Sequence, residues 1–331
     1  MDWLSVALVI ALALGFTYTN GFHDSANAIA TSVTTRTLTP RVAVTLAAAA
    51  NLVGAFFGTN VAETIGSGII AAPQGDRGLI VCAAGLLGAI SWNLLTWWKG
   101  LPSSSSHALI GGLGGAALAT GASVHWDVVI ERIVLPMLLS PIVGLVFGYL
   151  AMTSILWLFR NAEPGRVSGQ FRLAQTVSAA AMAFGHGMQD AAKTAGVVVL
   201  ALTVGGYHDA DTTNVPLWVL GVSAVVLSAG TYAGGWRIMR TLGRRIIDLT
   251  PAHGFAAEVT AAVILYAATA LRAPISTTHV IASTILGAGT TRGWRVVRWA
   301  VVRDIGVAWV LTLPAAAGAA AAAAYLLSLT N

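Results

Sequence analysis

The sequence predicts an all-α polytopic membrane protein with about ten transmembrane segments in two inverted-topology repeats. Three observations carry that expectation. Charged residues make up only 9% of the 331 residues, apolar stretches recur along the whole chain, and one ordered pair of motifs occurs twice. A soluble domain devotes roughly a quarter of its residues to Asp, Glu, Lys and Arg. Eighteen basic and 13 acidic residues therefore exclude an ordinary cytosolic enzyme, a disordered tail protein and a nucleic-acid binder. Cys82, the single cysteine, lies in an apolar run, which excludes a disulfide framework and a cysteine-based metal site.

Taken in order, the apolar stretches cover residues 3–31, 42–59, 79–98, 107–123, 128–159, 173–204, 216–236, 254–271, 275–290 and 299–328. A crossing helix needs about 20 apolar residues. All ten stretches are read as helices, because barrel strands would alternate apolar and polar residues. The first, MDWLSVALVIALALGF, has no basic leader and reads as a retained crossing rather than a signal peptide. Re-entrant hairpins would raise the segment count, since periodicity cannot separate them from short crossings. The 36 glycines suit close helix packing, and the tail Ala315–Ala324 reads as packing helix. Tryptophans such as Trp97, Trp98, Trp126, Trp157, Trp218 and Trp236 fall near predicted helix ends and read as interfacial anchors.

The longest polar break, residues 160–172, is the expected cytoplasmic connecting loop between a first repeat (1–159) and a second (173–331). With Met1 outside and one crossing per stretch, fourteen basic residues fall inside or at inner helix ends. Only Arg77, Arg132 and Arg272 fall outside. The acidic loop Tyr207–Asp211 then lies outside, as do both termini, and WRIMRTLGRR (Trp236–Arg245) is a basic inner loop that contacts anionic lipid.

NGFHDSANAIAT begins at Asn20 and HGMQDAAKTAGV at His186, while LPSSSSH ends at His107 and APISTTH at His279. Asp24 and Asp190 lie 166 residues apart, and the two histidines 172 apart. Five crossings per half is an odd number, so the second half is inverted, the architecture of many secondary transporters.

Asp24 with Asn27, and Asp190 with Lys193, each share a helix face. Ionisable groups at membrane depth are costly and serve a pathway, a relay or a pairing partner. Gly21 and the Gly185/Gly187 pair are placed to open these long helices. Pro102 and Pro274 followed by hydroxyl runs mark helix starts, where free N–H groups and hydroxyls bind anions. Simple capping is the competing explanation for each run alone; the duplication favours a substrate site for a tetrahedral oxyanion. The motif histidines His23, His107, His186 and His279 suit a proton-linked role. A metal site is not expected, since no two histidines show ligand spacing along a helix. Glu258 reads as a relay carboxylate or an inner gate.

These motifs resemble those of the inorganic phosphate transporter family, in its bacterial low-affinity Pit-type branch. NGFHDSANAIAT resembles the first family signature and GHGMQDAAKTAG the second, while the two proline–hydroxyl–histidine segments resemble its paired motifs. The similarity runs through GGWRIMRTLG and across nearly the whole chain. The resemblance implies an inverted-repeat, dimeric symporter of the cytoplasmic membrane that carries phosphate with protons or sodium, with no resident cofactor. By the same resemblance Ser104, Ser105, Ser106, Ser276, Thr277 and Thr278 surround phosphate, and Asp24, Asn27 and Asp190 line the coupling-ion region.

Two departures bear on coupling. His23 and Gln189 stand where the family has Asn before the motif Asp, and Lys193 replaces the second motif Asn. An ammonium offers donors but no lone pair. Lys193 is therefore expected to substitute for a bound sodium, leaving coupling to protons through Asp24 and His23. The Pit branch also implies carriage of neutral divalent metal–phosphate complexes. The rivals are a sodium-coupled phosphate symporter, a sulfate permease of the same family and, from another class, an intramembrane hydrolase. A hydrolase needs one constellation, whereas this chain duplicates each element.

Overall fold

Long runs of Ala, Leu and Val form eleven helices among the described residues, which in this computed structural model are 3–59, 61–62, 65, 70–209 and 214–329. The first half of the chain contributes α1 (Trp3–Thr34), α2 (Pro40–Gly54), α3 (Asp76–Lys99), α4 (Ser105–Thr120) and α5 (Trp126–Leu158). The second contributes α6 (Pro164–Val204), α7 (Leu217–Ala233), α8 (Trp236–Arg245), α9 (Pro251–Ala270), α10 (Thr277–Thr290) and α11 (Trp299–Ser328). Prolines start α2, α6 and α9, where a missing N–H costs nothing. A short antiparallel pair joins Ile70–Ala71 to Ser123–Val124.

Six of these helices are long and apolar enough to cross a membrane: α1, α2 with the 3₁₀ turn after it, α3, α5, α9 and α11. The pair α7–α8, bent by 56°, makes a seventh if taken as one span. The expected ten is larger for a geometric reason. Stretches 107–123 and 275–290 become α4 and α10, of 16 and 14 residues. At 1.5 Å per residue these reach only about 24 and 21 Å, short of a hydrocarbon core of about 30 Å. The 41-residue α6 has ample length, but the polar residues through its middle keep it out of that set. The predicted connecting loop also contracts, because Glu163–Pro164 starts α6 and leaves only residues 160–163 as a turn. Of the acidic loop Tyr207–Asp211, Ala210 and Asp211 lie outside the described residues.

Gly21 and the Gly185/Gly187 pair do not open their helices; α1 and α6 run through them unbroken. Their small size serves packing instead. A Cβ on Gly21 would come within 2.5 Å of the Leu227 carbonyl, and one on Gly187 within 2.3 Å of the Asn51 carbonyl. Gly187→Ala should therefore push α2 from α6 at a cost of about 1–3 kcal/mol. A thermal melt of the detergent-solubilised variant would read this as a lowered midpoint.

The packing exchanges partners between the halves. The short helix α4 lies against α11 and α3, while α10 lies against α5 and α9; α1 packs on α6 and α7, and α2 on α6. Leu86, Leu109, Leu113, Ala316 and Ala320 fill one core, and Met182, Ile238, Leu242, Leu265 and Ile281 another. The alanine-rich tail is packing helix, since a Cβ on Gly115 would meet the Ala317 carbonyl at 2.4 Å. This close approach of helices is what small residues permit in a bilayer. Trp98, Trp126, Trp157, Trp218 and Trp236 are exposed at or near helix ends, whereas Trp97 packs inward against Phe22.

Candidate functional site

The site grows from the middles of α1 and α6, where the motif carboxylates are buried. His23 Nδ1 lies 2.7 Å from Asp24 Oδ1, and its Nε2 lies 3.0 Å from Thr96 Oγ1 and 3.3 Å from Ser103 Oγ. On α6, Lys193 Nζ lies 2.8 Å from Asp190 Oδ1, one turn away on the same face. His186 Nε2 lies 3.0 Å from Asp190 Oδ2, and Asn20 Nδ2 of α1 donates to the same oxygen at 3.4 Å.

The starts of α4 and α10 close over this pair. Ser104 and Ser276 are their N-caps: Ser104 Oγ accepts from the His107 N–H at 3.2 Å, and Ser276 Oγ from the His279 N–H at 3.1 Å. Two of the six expected substrate hydroxyls thus act as caps. The first-turn N–H groups of Ser105, Ser106, Thr277 and Thr278 stay outside the helical ladder. Asn27 Nδ2 donates to Thr278 Oγ1 at 2.9 Å and to Thr277 Oγ1 at 3.4 Å, and the Thr278 hydroxyl donates to Asp24 Oδ1 at 3.3 Å. Ser105 Oγ is buried without a hydrogen-bond partner among the described residues.

Lys193 ties the other half in. Its ammonium donates to Asp190, to Ser106 Oγ at 2.6 Å and to the Ile275 carbonyl at 2.8 Å. All three protons of the ammonium are used. The binding pattern therefore crosses the halves, α1 reaching α10 and α6 reaching α4.

Other predicted residues stand apart. Gln189 Nε2 donates to Thr269 Oγ1 at 2.9 Å and to the Ala273 carbonyl at 3.3 Å, so it braces the α9–α10 connection. Glu258 on α9 accepts from Thr31, from Ser178 at 2.5 Å and from Gln175 at 3.3 Å. Thr31 is seven residues beyond Asp24 on α1, about 10 Å along the axis. Gln175 Oε1 accepts in turn from Thr35 at 2.8 Å and Thr37 at 2.7 Å. The rings of His107 and His279 meet edge-on at 4.4 Å, and His279 stacks on Trp309 at 3.9 Å. Trp309 is no interfacial anchor, for its Nε1 donates to the Pro102 carbonyl at 3.0 Å and holds the start of α4.

Sequence reasoning missed Thr31, Asn51, Gln175, Ser178 and Trp309. The available signal was a polar side chain inside an otherwise apolar stretch. One oxygen or nitrogen each of Asp24, His186 and Asp190 lie within 4.8 Å of one another. The set mixes residue types and two helices, so no spacing along one helix marks all three. The Lys193 ammonium already sits on Asp190 in that cluster and supplies a fixed positive charge there.

Comparison with known proteins bears on the whole chain. The profile of the Phosphate transporter family matches it twice in succession, over residues 20–165 and 159–320. A probable low-affinity inorganic phosphate transporter of Bacillus subtilis (strain 168) is 40% identical over 324 residues, covering 97% of both chains. A protein of the same description from Rhizobium meliloti (strain 1021) is 46% identical, covering 93% of this chain and 92% of that one. A solved structure described as the sodium-dependent phosphate transporter superposes with a TM-score of 0.90 at 24% identity. It covers 98% of this chain and 99% of that one, a likeness of fold.

Proposed function

The chain belongs to the phosphate transporter family, and on that premise we propose that it imports inorganic phosphate by proton symport. It is a multi-pass membrane transporter of phosphate, not an enzyme. The proposal adds the coupling ion, the bacterial cytoplasmic membrane with both termini outside, the inverted repeat and a homodimer.

The observation that carries the coupling is Lys193. A sodium ion beside Asp190 needs oxygen lone pairs, and an ammonium there provides none. Its three donors are satisfied by Asp190, Ser106 and the Ile275 carbonyl, so charge and geometry are filled without a metal. Cation coupling then rests on groups that exchange protons, with Asp24 and His23 the nearest pair.

For phosphate, the reading uses the two short helix starts. Ser105, Ser106, Thr277 and Thr278 offer hydroxyls and first-turn N–H groups at positive dipole ends, which suit an oxyanion. Asp24 accepts the substrate's O–H, a group that sulfate lacks at neutral pH. Glu258 serves as the inner relay. Support for the inverted repeat comes from the double family match and the partner exchange of α4 with α11 and α10 with α5.

The test is radiolabelled phosphate uptake into proteoliposomes under an imposed proton or sodium gradient, with sulfate as competitor. Proton-driven uptake that sulfate leaves unchanged is expected. Sodium-driven uptake would overturn the coupling, and sulfate uptake in place of phosphate would overturn the substrate.

A further inference from the structure

The two motif histidines next to the carboxylates differ in what their far ring nitrogens touch. His23 Nε2 faces two hydroxyls: the Thr96 proton goes to the Trp92 carbonyl, while the Ser103 proton can go either to Thr96 Oγ1 or to His23 Nε2. Neutral His23 can therefore place its proton on Nδ1 and donate to Asp24. His186 has no such freedom. Its Nδ1 lies 3.0 Å from Asn51 Oδ1. The orientation of Asn51 is fixed by its own donor: Nδ2 gives a 2.8 Å hydrogen bond to Thr231 Oγ1, whose hydroxyl proton goes to the Leu227 carbonyl. Thr231 Oγ1 must accept from Asn51, so the Asn51 carbonyl faces His186, and His186 Nδ1 must carry a proton.

A neutral imidazole has one N–H. With that proton on Nδ1, Nε2 of neutral His186 would be a bare acceptor 3.0 Å from Asp190 Oδ2, a close approach off the line of a hydrogen bond that leaves Nε2 without a hydrogen-bond partner among the described residues. Two electron-rich atoms that close repel unless the imidazole carries a proton on Nε2. The charge balance points the same way. The groups acting on His186 from its own helix are Asp190 and Lys193, and from α1 Asp24; the facing residues of α2 and α7, Asn51 and Thr231, are neutral. A positive charge on His186 would stand beside Asp190, where burial makes an unmatched negative charge costly.

We propose that His186 is a second proton-coupling site, holding a transported proton on Nε2 against Asp190, and that Asn51 is the positioning residue that fixes its tautomer. No covalent step is involved: one proton arrives from the outer side, resides on Nε2 as imidazolium paired with Asp190, and leaves to the inner side. The proposal rests on proton symport as read above, and extends it to a residue pair in the second half.

The experiment uses the full chain in proteoliposomes, measuring the steady-state accumulation of radiolabelled phosphate against a set pH gradient, and the uptake rate against external pH. His186→Gln, which removes one proton per cycle, should accumulate about tenfold less phosphate per imposed pH unit. Asn51→Asp keeps the shape but turns the acceptor facing Nδ1 into a carboxylate. It should move the uptake–pH profile upward by about one unit without lowering accumulation, a shift that a purely structural residue would not give. Wild-type accumulation and an unmoved profile in both variants would overturn the assignment while leaving proton symport standing. Wild-type uptake driven by sodium alone would overturn symport with protons and this site together.

Discussion

Replacing Lys193 with methionine should reduce phosphate uptake by at least about 100-fold. Methionine approximates the length and volume of the lysine stem, so the change is mainly one of charge and donors. What it removes is the partner of Asp190, together with the donors to Ser106 Oγ and the Ile275 carbonyl. Breaking a buried ion pair on one side costs about 3–5 kcal/mol, because the remaining charge stays buried without its fixed counter-charge. The double variant Lys193→Met with Asp190→Asn removes that lone charge. Its thermal stability should return toward the parent while uptake stays lost, which separates a structural role from a transport role. Uptake by Lys193→Met within about threefold of the parent would sink the assignment of Lys193 as a built-in cation.

Asp24→Asn should abolish proton-driven accumulation, again by about two orders of magnitude, while leaving the fold in place. The amide oxygen can still accept from Thr278, which lies 3.3 Å from Asp24 Oδ1. The lost property is proton exchange, since an amide does not titrate at any pH the cell reaches. Uptake should therefore be low at every external pH, with a melting midpoint close to the parent's. A variant that still concentrates phosphate against its gradient when a proton gradient is applied would remove Asp24 from the coupling path.

Much of the architecture was legible in residue type and spacing. Low charge and recurring apolar stretches give a helical membrane protein, because backbone polar groups in a bilayer must be satisfied within helices. The hydroxyl runs after Pro102 and Pro274 mark helix starts, since local capping depends only on neighbours in sequence. The repeated motifs singled out Asp24, Asp190 and Lys193 because ionisable groups are costly, and therefore rare, inside apolar stretches.

Only the tertiary structure decided how these parts meet. Gly21 and Gly187 read as helix breakers in sequence and are contact points in the fold, because a missing Cβ permits either and only the neighbouring carbonyl decides. The partners of Lys193 on α4 and before α10 lie 87 and 82 residues away. Asn51 and Thr231, which orient His186, come from different halves of the chain. Such contacts depend on helix crossing angles and axial offsets, which no local pattern records. Residue types therefore fixed which groups must be buried and capped, whereas the packing of α1, α2, α4, α6 and α10 fixed which donor faces which acceptor.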